Sequence, residues 1–289
     1  MTHTMQIIHH QLQTMGLPTA PHDIHLIREK FGITVFRVFA NNESYVGKYY
    51  EETHDRLEIE YYHVLNSINV PTIKVIGHTD CLLLLEDISA SSIYRLGTEE
   101  DMADPKVAGL LAKWYKQLHT KGRNYAGLSK LYCVAEDELT KANLENAAAK
   151  TNSTENPIWQ LLQENLETYR NAYTTLSNTI VYNDFYWDNF IVAKDYTSAM
   201  MFDYNCMWRM YAYADIHNVL KNLPHRAGEA SMESYGTYNP MEKLYEDAFI
   251  PLSGLITACN MESFPPWTND IISMLHSGEL KQLFDKLHI

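Results

Sequence analysis

Residues 179–205, TIVYNDFYWDNFIVAKDYTSAMMFDYN, constrain the fold of this chain more than any other segment. The three short apolar runs TIVY, NFIV and AMMF have the composition of strands. Asp184 follows the first run, Asn189 comes five residues later, and Asp203 follows the third run. A short β-hairpin with a rigid loop would bring these three oxygen-bearing side chains together.

The three side chains suit a site for a metal ion and a phosphate. Mg²⁺ prefers carboxylate and amide oxygens and keeps water and phosphate oxygens among its ligands. One carboxylate and one amide can hold the ion, and the other carboxylate can accept a proton from an attacking hydroxyl, as in phosphoryl transfer. The alternative is that Asp184 and Asn189 only form a turn, as Asp and Asn often do.

The first part of the chain has the pattern of a small sheet. The segment GITVFRVFANNESYVGKYY predicts a hairpin with its turn at NNES, and VPTIKVIGHTDCLLLLEDIS predicts two further strands. Between them, apolar residues at helical spacing from Leu57 to Ile68 predict a helix over about 52–68.

The continuation is predicted to be mostly helical. Helices are expected over 105–122, over 156–177 and from about 212 onward, with breaks at prolines such as Pro251. The polar segment NAAAKTNSTENP before the second helix is expected to be a loop. The whole pattern predicts an α+β fold with two lobes: an antiparallel-sheet lobe with one helix at 1–88, and a larger, mainly helical lobe at 89–289.

Charge and cysteine content narrow the function class. With 23 Lys and Arg against 36 Asp and Glu, the formal net charge is -13, which disfavours nucleic acid as a partner. The four cysteines are scattered, which fits a reducing, cytoplasmic location. The N-terminus has neither the basic start nor the apolar run of a signal peptide, and no membrane-spanning stretch is expected.

The segment YNDFYWDNFIV…MMFDYN resembles the aminoglycoside phosphotransferase and choline kinase group, whose fold is protein-kinase-like. The group's pattern is His-Gly-Asp or His-Asn-Asp, then Asn, then an apolar strand that ends in Asp. The resemblance implies that Asp184 is the catalytic base and that Asn189 and Asp203 are magnesium ligands. It also implies that Asp215, in DIHNVL, anchors the loop as a structural residue. Tyr182 stands where the group mostly has His.

The resemblance extends upstream through YVGKYY and EIEYYHVLNSINVPTIKV. It implies that Lys48 contacts nucleotide phosphates and pairs with a helical glutamate. Glu60 is the preferred partner by resemblance, while periodicity leaves Glu58 as an equal rival. The segment REKFGITVF, expected to cover the nucleotide, has a single glycine, Gly32.

Two further segments match the group. LLLLEDIS resembles the run that leads to the hinge, where main-chain groups would bind adenine. The implied hinge residues are Leu85, Glu86, Asp87 and Ile88. LLAKWYKQLHTKG resembles a helix of the group, and His119 near its end is expected to be a packed or capping residue rather than a catalyst.

Aromatic residues are frequent beside the quoted segment. Trp187, Trp208, Tyr211 and Tyr213 could form a cage for an ammonium group through cation–π attraction. The alternative is ordinary packing in the core and loops. Together with the acidic charge, a cage would favour an acceptor that carries an amine.

The resemblance therefore implies an enzyme that uses ATP and Mg²⁺ to phosphorylate a hydroxyl of a small molecule, choline-like or aminoglycoside-like. Asp215 comes only twelve residues after Asp203, so there is no obvious activation segment, which favours a small acceptor over a protein. The alternative is a catalytically silent, kinase-like nucleotide-binding protein, which Tyr182 and the single glycine favour.

Overall fold

The structure is a computed structural model that describes residues 2–287. Within this range ten strands form: β1 Ile24–Lys30, β2 Ile33–Ala40, β3 Glu43–Tyr50, β4 Val75–His78, β5 Leu82–Glu86, β6 Tyr94–Leu96, β7 Thr179–Val181, β8 Phe190–Ala193, β9 Ala199–Met201 and β10 Trp208–Met210.

The helices of the described chain are α1 His3–Thr14, α2 Leu57–Ser67, α3 Pro105–Gly122, α4 Val134–Asp137, α5 Lys141–Lys150, α6 Pro157–Glu164, α7 Leu166–Leu176, α8 Tyr213–Asn222, α9 His225–Tyr235, α10 Pro240–Cys259, α11 Thr268–Ser277 and α12 Glu279–Asp285. None of the helices in this part of the chain combines the length and the apolar character that crossing a membrane requires.

The chain forms two compact units. The first contains the residues up to Leu118 together with Asp184–Met207 and Val219–Tyr235. The second contains His119–Asn183, Trp208–Asn218 and the residues from Gly236 onward. The predicted boundary between lobes at residue 88 differs from this division and stays a prediction.

The first unit is built on a five-stranded antiparallel sheet in the order β1-β2-β3-β5-β4. Two-residue turns join its first three strands: Phe31 and Gly32 between β1 and β2, and Asn41 and Asn42 between β2 and β3. All four have positive φ, between 53° and 74°. This is the type I′ geometry that follows the right-handed twist of paired strands, and Asn and Gly adopt it readily.

The two faces of this sheet have different roles. One face packs against α1 and includes Ile8, Leu12, Phe36 and Val38 in its core. Gly47 lies opposite Phe36 across β2 and β3, and a Cβ there would lie 2.2 Å from Phe36 Cζ. The Phe36 ring thus fills the place of the missing side chain. The opposite face is free to line a cavity.

A second, three-stranded sheet of the first unit has the order β6-β8-β9. Its β8–β9 hairpin carries Asn189 directly before β8, and Phe202 and Asp203 directly after β9. The antiparallel pairing of Phe190 with Met201 therefore places the beginning of β8 beside the end of β9.

The second unit contains the two-stranded sheet β7-β10 and helices that pack through aromatic side chains. Phe249 on α10 contacts Tyr173 on α7, with ring centroids 4.9 Å apart, and Phe284 on α12 at the same separation. Edge-to-face arrangements of this kind are favoured for aromatic pairs in a core.

The predicted fold class, α+β with an antiparallel sheet followed by a mainly helical region, is confirmed. The hairpin predicted around Asp184 is wrong, because β7 pairs with β10 and the hairpin is β8–β9. The predicted loop before α6 is also partly wrong. Its alanines belong to α5, where Ala147 and Ala148 are buried, since alanine has the highest helix propensity.

Two other helix boundaries differ from the prediction. The expected helix over 156–177 is two helices that meet at Asn165. The expected break at Pro251 does not occur, and α10 continues through it. Phe249 and Leu252 beside this proline are buried, so packing compensates for the main-chain hydrogen bond that proline cannot make.

Candidate functional site

Lys48 is the centre of a buried charge cluster in the first unit. It lies on β3, and its Nζ donates to Glu58 Oε1 at 2.8 Å, to Glu58 Oε2 at 2.9 Å and to Asp203 Oδ1 at 2.7 Å. The strand supplies the lysine, α2 supplies Glu58, and the end of β9 supplies Asp203. Two neighbouring elements and a third that is 155 residues away in sequence therefore converge on one ammonium group.

Glu58, not Glu60, is the partner of Lys48, which corrects the prediction. Glu58 is fully buried, and it also accepts hydrogen bonds from the Tyr50 hydroxyl at 2.7 Å and the Tyr204 N–H at 3.3 Å. Glu60 is exposed. Periodicity alone could not choose between them, because α2 begins at Leu57 and both glutamates lie in its first turn.

The cluster keeps Lys48 charged. Burial by itself would lower the pKa of its ammonium group, but the Glu58 and Asp203 carboxylates more than offset this and raise the pKa. Burial raises the pKa of Glu58, and the Lys48 ammonium opposes that effect. A lysine whose pKa is raised, at the edge of a cavity, is suited to bind an anion.

Asp184 and Asn189 are held together beside this cluster. Asn189 Nδ2 donates to Asp184 Oδ2 at 2.8 Å and to the Asp184 carbonyl at 3.1 Å. The Phe202 N–H donates to the Asn189 carbonyl at 2.9 Å, which ties the loop to the end of β9. Asp203 itself has φ of 65°, a left-handed conformation that is unusual for a non-glycine residue and is often found at functional sites.

The negative charges at the site affect one another. Partial burial of the Asp184 carboxyl group and, after it, the negative charge of Asp203 raise the pKa of Asp184, while the Asn189 hydrogen bond opposes this. A cation between the two carboxylates would relieve this repulsion.

The donor set fits Mg²⁺. Asn189 and Asp203 offer the hard oxygen donors that this ion prefers. The Asn189 amide nitrogen faces Asp184, and both the Lys48 and Asn205 side chains donate to Oδ1 of Asp203, so Oδ2 carries neither bond. Among residues 2–287 there is no cluster of three or more His, Cys, Asp or Glu suited to a metal. The predicted ligand set is instead one carboxylate and one amide, completed by water and phosphate oxygens.

A cavity of about 330 Å³ lies next to these residues, entirely within the first unit. Its wall includes Lys48, Asn189 and Asp203 at one side and apolar residues such as Val46 and Ile73 elsewhere. The four predicted hinge residues, Leu85, Glu86, Asp87 and Ile88, all line it. An apolar cavity with a cation and metal-type ligands at its edge suits a nucleotide.

Asp87 has a structural task within the hinge. Its carboxylate accepts from Arg37 Nε at 2.7 Å and from the Ser89 N–H at 3.0 Å. Burial alone would raise the pKa of Asp87, but the hydrogen bonds from Ser89 and Arg37 lower it overall. The side chain thus fixes the turn after β5.

Asp215 anchors the chain that leads to Asp184. In the second unit, its carboxylate accepts from the Tyr182 N–H at 2.8 Å and the Asn183 N–H at 2.7 Å. His119 Nε2 lies 2.9 Å from the same carboxylate. His119 is buried, as expected for a packed residue. The two bonds from the main-chain N–H groups to Asp215 do not depend on which side chain stands at position 182.

The four aromatic residues predicted to form a cage lie in different units. Trp187 belongs to the first unit and is half-buried. In the second unit, Trp208 packs on Tyr132 with centroids 5.1 Å apart, and Tyr213 lies 4.6 Å from Tyr238. Tyr211 is fully buried and its hydroxyl donates to Glu246, so it packs in the core rather than lining a ligand site. For the other three residues, acceptor binding stays a prediction.

Several cavity residues were missed from the sequence, and two of the charged ones bear on the site. Arg28 on β1 and Asp188, directly before Asn189, both line the cavity. Asp188 stands inside the motif and could have been included on that ground. Arg28 opens the segment REKFGITVF, which was expected to cover the nucleotide, but its position on the cavity face depends on the pairing of β1 with β2, which the sequence did not predict.

Comparisons with known proteins show which solved structures have a similar fold. No protein-family model matches the chain, and no curated protein matches its sequence. Among solved structures, choline kinase LicA from Streptococcus pneumoniae matches with a TM-score of 0.59 and 13% identity over 97% of this chain and 100% of that chain. Macrolide 2′-phosphotransferase MphH from Brachybacterium faecium matches with a TM-score of 0.58 and 14% identity, over 91% of this chain and 95% of that chain.

A third neighbour is a spectinomycin phosphotransferase solved with ADP and spectinomycin, with a TM-score of 0.54 and 14% identity over 96% of this chain and 97% of that chain. At such identities the likeness establishes the fold. The chain therefore has the kinase-like fold of these small-molecule phosphotransferases, and the predicted resemblance is confirmed at the level of the fold.

Proposed function

We propose that this protein is an ATP- and Mg²⁺-dependent phosphotransferase that phosphorylates a hydroxyl of a small molecule. The observation that carries the proposal is Lys48, which bridges Glu58 at 2.8 Å and Asp203 at 2.7 Å at the edge of the 330 Å³ cavity. A core packing function would not need a buried lysine with two carboxylates beside an open cavity, since burying these charges is costly.

Each residue has a task in this reaction. Lys48 binds nucleotide phosphate, and Glu58 holds its ammonium group in place. Main-chain groups of the hinge bind the base. Asn189 and Asp203 would hold Mg²⁺, which neutralises phosphate charge when bound. Asp184 accepts the proton of the acceptor hydroxyl, and its raised pKa favours this task because a stronger base takes the proton more readily.

The proposed class of acceptor molecule is argued from the structural neighbours and from the net charge of the chain. The structural neighbours include a choline kinase and a spectinomycin phosphotransferase. The net charge of -13 attracts cationic molecules. We therefore propose an amine-bearing alcohol, choline-like or aminoglycoside-like, as the acceptor.

The test is a phosphotransfer assay with purified protein, Mg²⁺ and ATP against a panel of choline, ethanolamine, spectinomycin, aminoglycosides and a macrolide. Turnover is expected with at least one acceptor and should stop when EDTA removes the metal. Asp184→Asn should lower kcat by about 10²- to 10⁴-fold while ATP binding is kept. Asp195→Asn, an exposed acid in the β8–β9 turn, is the matched control and should keep full activity.

ATP binding without turnover across the panel would instead support the silent nucleotide-binding alternative. Equal activity of Asp184→Asn and the parent would contradict the proposed role of Asp184.

A further inference from the structure

An irregularity in β1 shapes the cavity. Leu26 pairs with Phe36 and Arg28 pairs with the next residue of β2, Val35, so Ile27 is an extra residue on β1. Such a β-bulge shifts every later side chain of the strand to the opposite face. Without it, Arg28 would lie opposite Thr34, on the other face from the cavity.

The bulge places Arg28 in line with Lys48. Arg28 pairs with Val35, and Val35 pairs with Lys48, so the three residues form a row across β1, β2 and β3. Residues paired directly across strands share a face, and all three line the cavity. With adjacent strands spaced by about 4.8 Å, the main chains at Arg28 and Lys48 are about 10 Å apart.

Arg28 differs from the other cations of the cavity wall. Lys48 is engaged by Glu58 and Asp203, and Arg37 is engaged by Asp87. For Arg28, by contrast, no carboxylate partner exists among the side chains that the structure describes. An exposed guanidinium group that faces a cavity without a counter-ion is available to an anion from solvent.

The same part of the chain lacks the usual phosphate-binding element of kinases. In protein kinases a loop with three glycines covers the phosphates and approaches them through main-chain N–H groups. Here the β1–β2 turn is two residues long and has one glycine, Gly32. A side chain is therefore needed to contact the phosphates from this side of the cavity.

We propose that the bulge at Ile27 creates a polyphosphate subsite in which the Arg28 guanidinium binds the phosphate chain of the nucleotide opposite Lys48. The inference rests on the proposed nucleotide-dependent function and extends it. Arg28 supplies, through side-chain N–H donors, the contact that a glycine-rich loop supplies through its main chain. Ile27, which also lines the cavity, adds apolar wall beside it.

The test is a series of dissociation constants, measured by calorimetry for adenosine, AMP, ADP and ATP without acceptor. The variants are Arg28→Met, Arg28→Lys and the control Lys30→Met. Lys30 is an exposed cation two residues further along β1 and does not line the cavity. Removing it changes the net charge as Arg28→Met does, but at a different position.

We expect Arg28→Met to weaken ATP and ADP binding by about 10-fold or more, because it loses charge-assisted hydrogen bonds. Adenosine binding should stay within about twofold, since adenosine has no phosphate. Arg28→Lys should fall between the parent and Arg28→Met. Lys30→Met should bind all four ligands as the parent does, and melting temperatures should confirm that each variant is folded.

Unchanged ATP binding by Arg28→Met would overturn the subsite. So would an equal loss of adenosine and ATP binding, which would indicate a displaced strand, or an equal effect of Lys30→Met, which would indicate a general charge effect. If the parent binds none of the four ligands, the proposed function itself fails, and the subsite fails with it.

Discussion

Glu58→Gln is expected to destabilise the protein and to impair phosphate binding, whereas Glu60→Gln is expected to do neither. Glu58 is fully buried and accepts hydrogen bonds from Lys48, Tyr50 and the Tyr204 N–H. Gln keeps the volume of Glu and one acceptor oxygen. It removes the negative charge, however, and turns an amide N–H₂ group toward two donors.

The size of the effect follows from the partners that remain. Removing one member of a buried ion pair costs about 3–5 kcal/mol. Lys48 keeps Asp203 Oδ1 at 2.7 Å, so a smaller cost in the free energy of unfolding, about 2–3 kcal/mol, is expected. For a chain of this length, this corresponds to a decrease in melting temperature of about 3–5 °C. Glu60 is exposed, and its substitution should change the free energy of unfolding by no more than about 0.5 kcal/mol.

Thermal unfolding of both variants, followed by circular dichroism beside the parent, measures this difference. The KM for ATP in the phosphotransfer assay should rise for Glu58→Gln only, since its Lys48 loses one of the two carboxylates that hold it in place. Equal melting temperatures for the two variants would refute the reasoning, and a larger loss for Glu60→Gln would restore the partner that the sequence favoured.

Three further substitutions test the fold around the site. Asp215→Asn should lower the free energy of unfolding by about 2–3 kcal/mol. The carboxylate now accepts from two main-chain N–H groups, one on each oxygen, and the amide N–H₂ of Asn cannot accept from either. Urea titration would show a lower midpoint for the variant. Gly47→Ala should lower the free energy of unfolding by about 1–3 kcal/mol in the same titration, because the added Cβ would clash with the Phe36 ring. Finally, burial alone would raise the pKa of Asp101, but the hydrogen bonds from Arg95 lower it overall. Its contribution to stability is therefore present above its unfolded-state pKa of about 3.9 and is lost as the pH falls through the lower folded-state value. Asp101→Asn should thus flatten the decrease in melting temperature between about pH 5 and pH 3, and an equally steep decrease would contradict this role.

Much of the site was predictable because its residues stand at the ends of strongly patterned segments. Asp184, Asn189 and Asp203 follow apolar runs whose strand character is evident from composition, and Lys48 interrupts an aromatic strand. The resemblance to kinases then assigned a task to each of them. The strand before the predicted hinge residues was predictable for the same reason, because four consecutive leucines indicate a buried strand, whereas the hinge itself was implied by the resemblance.

The sequence by itself determined several strands, most helices and the identity of the oxygen donors, because these follow from local periodicity and residue chemistry. Only the tertiary structure decided that Glu58 rather than Glu60 reaches Lys48, since both lie in the first turn of α2 and the choice depends on how that helix packs. It also decided that β7 pairs with β10, and that the bulge at Ile27 moves Arg28 onto the cavity face. Strand pairing and register arise from contacts between residues far apart in the chain, and no local pattern specifies them.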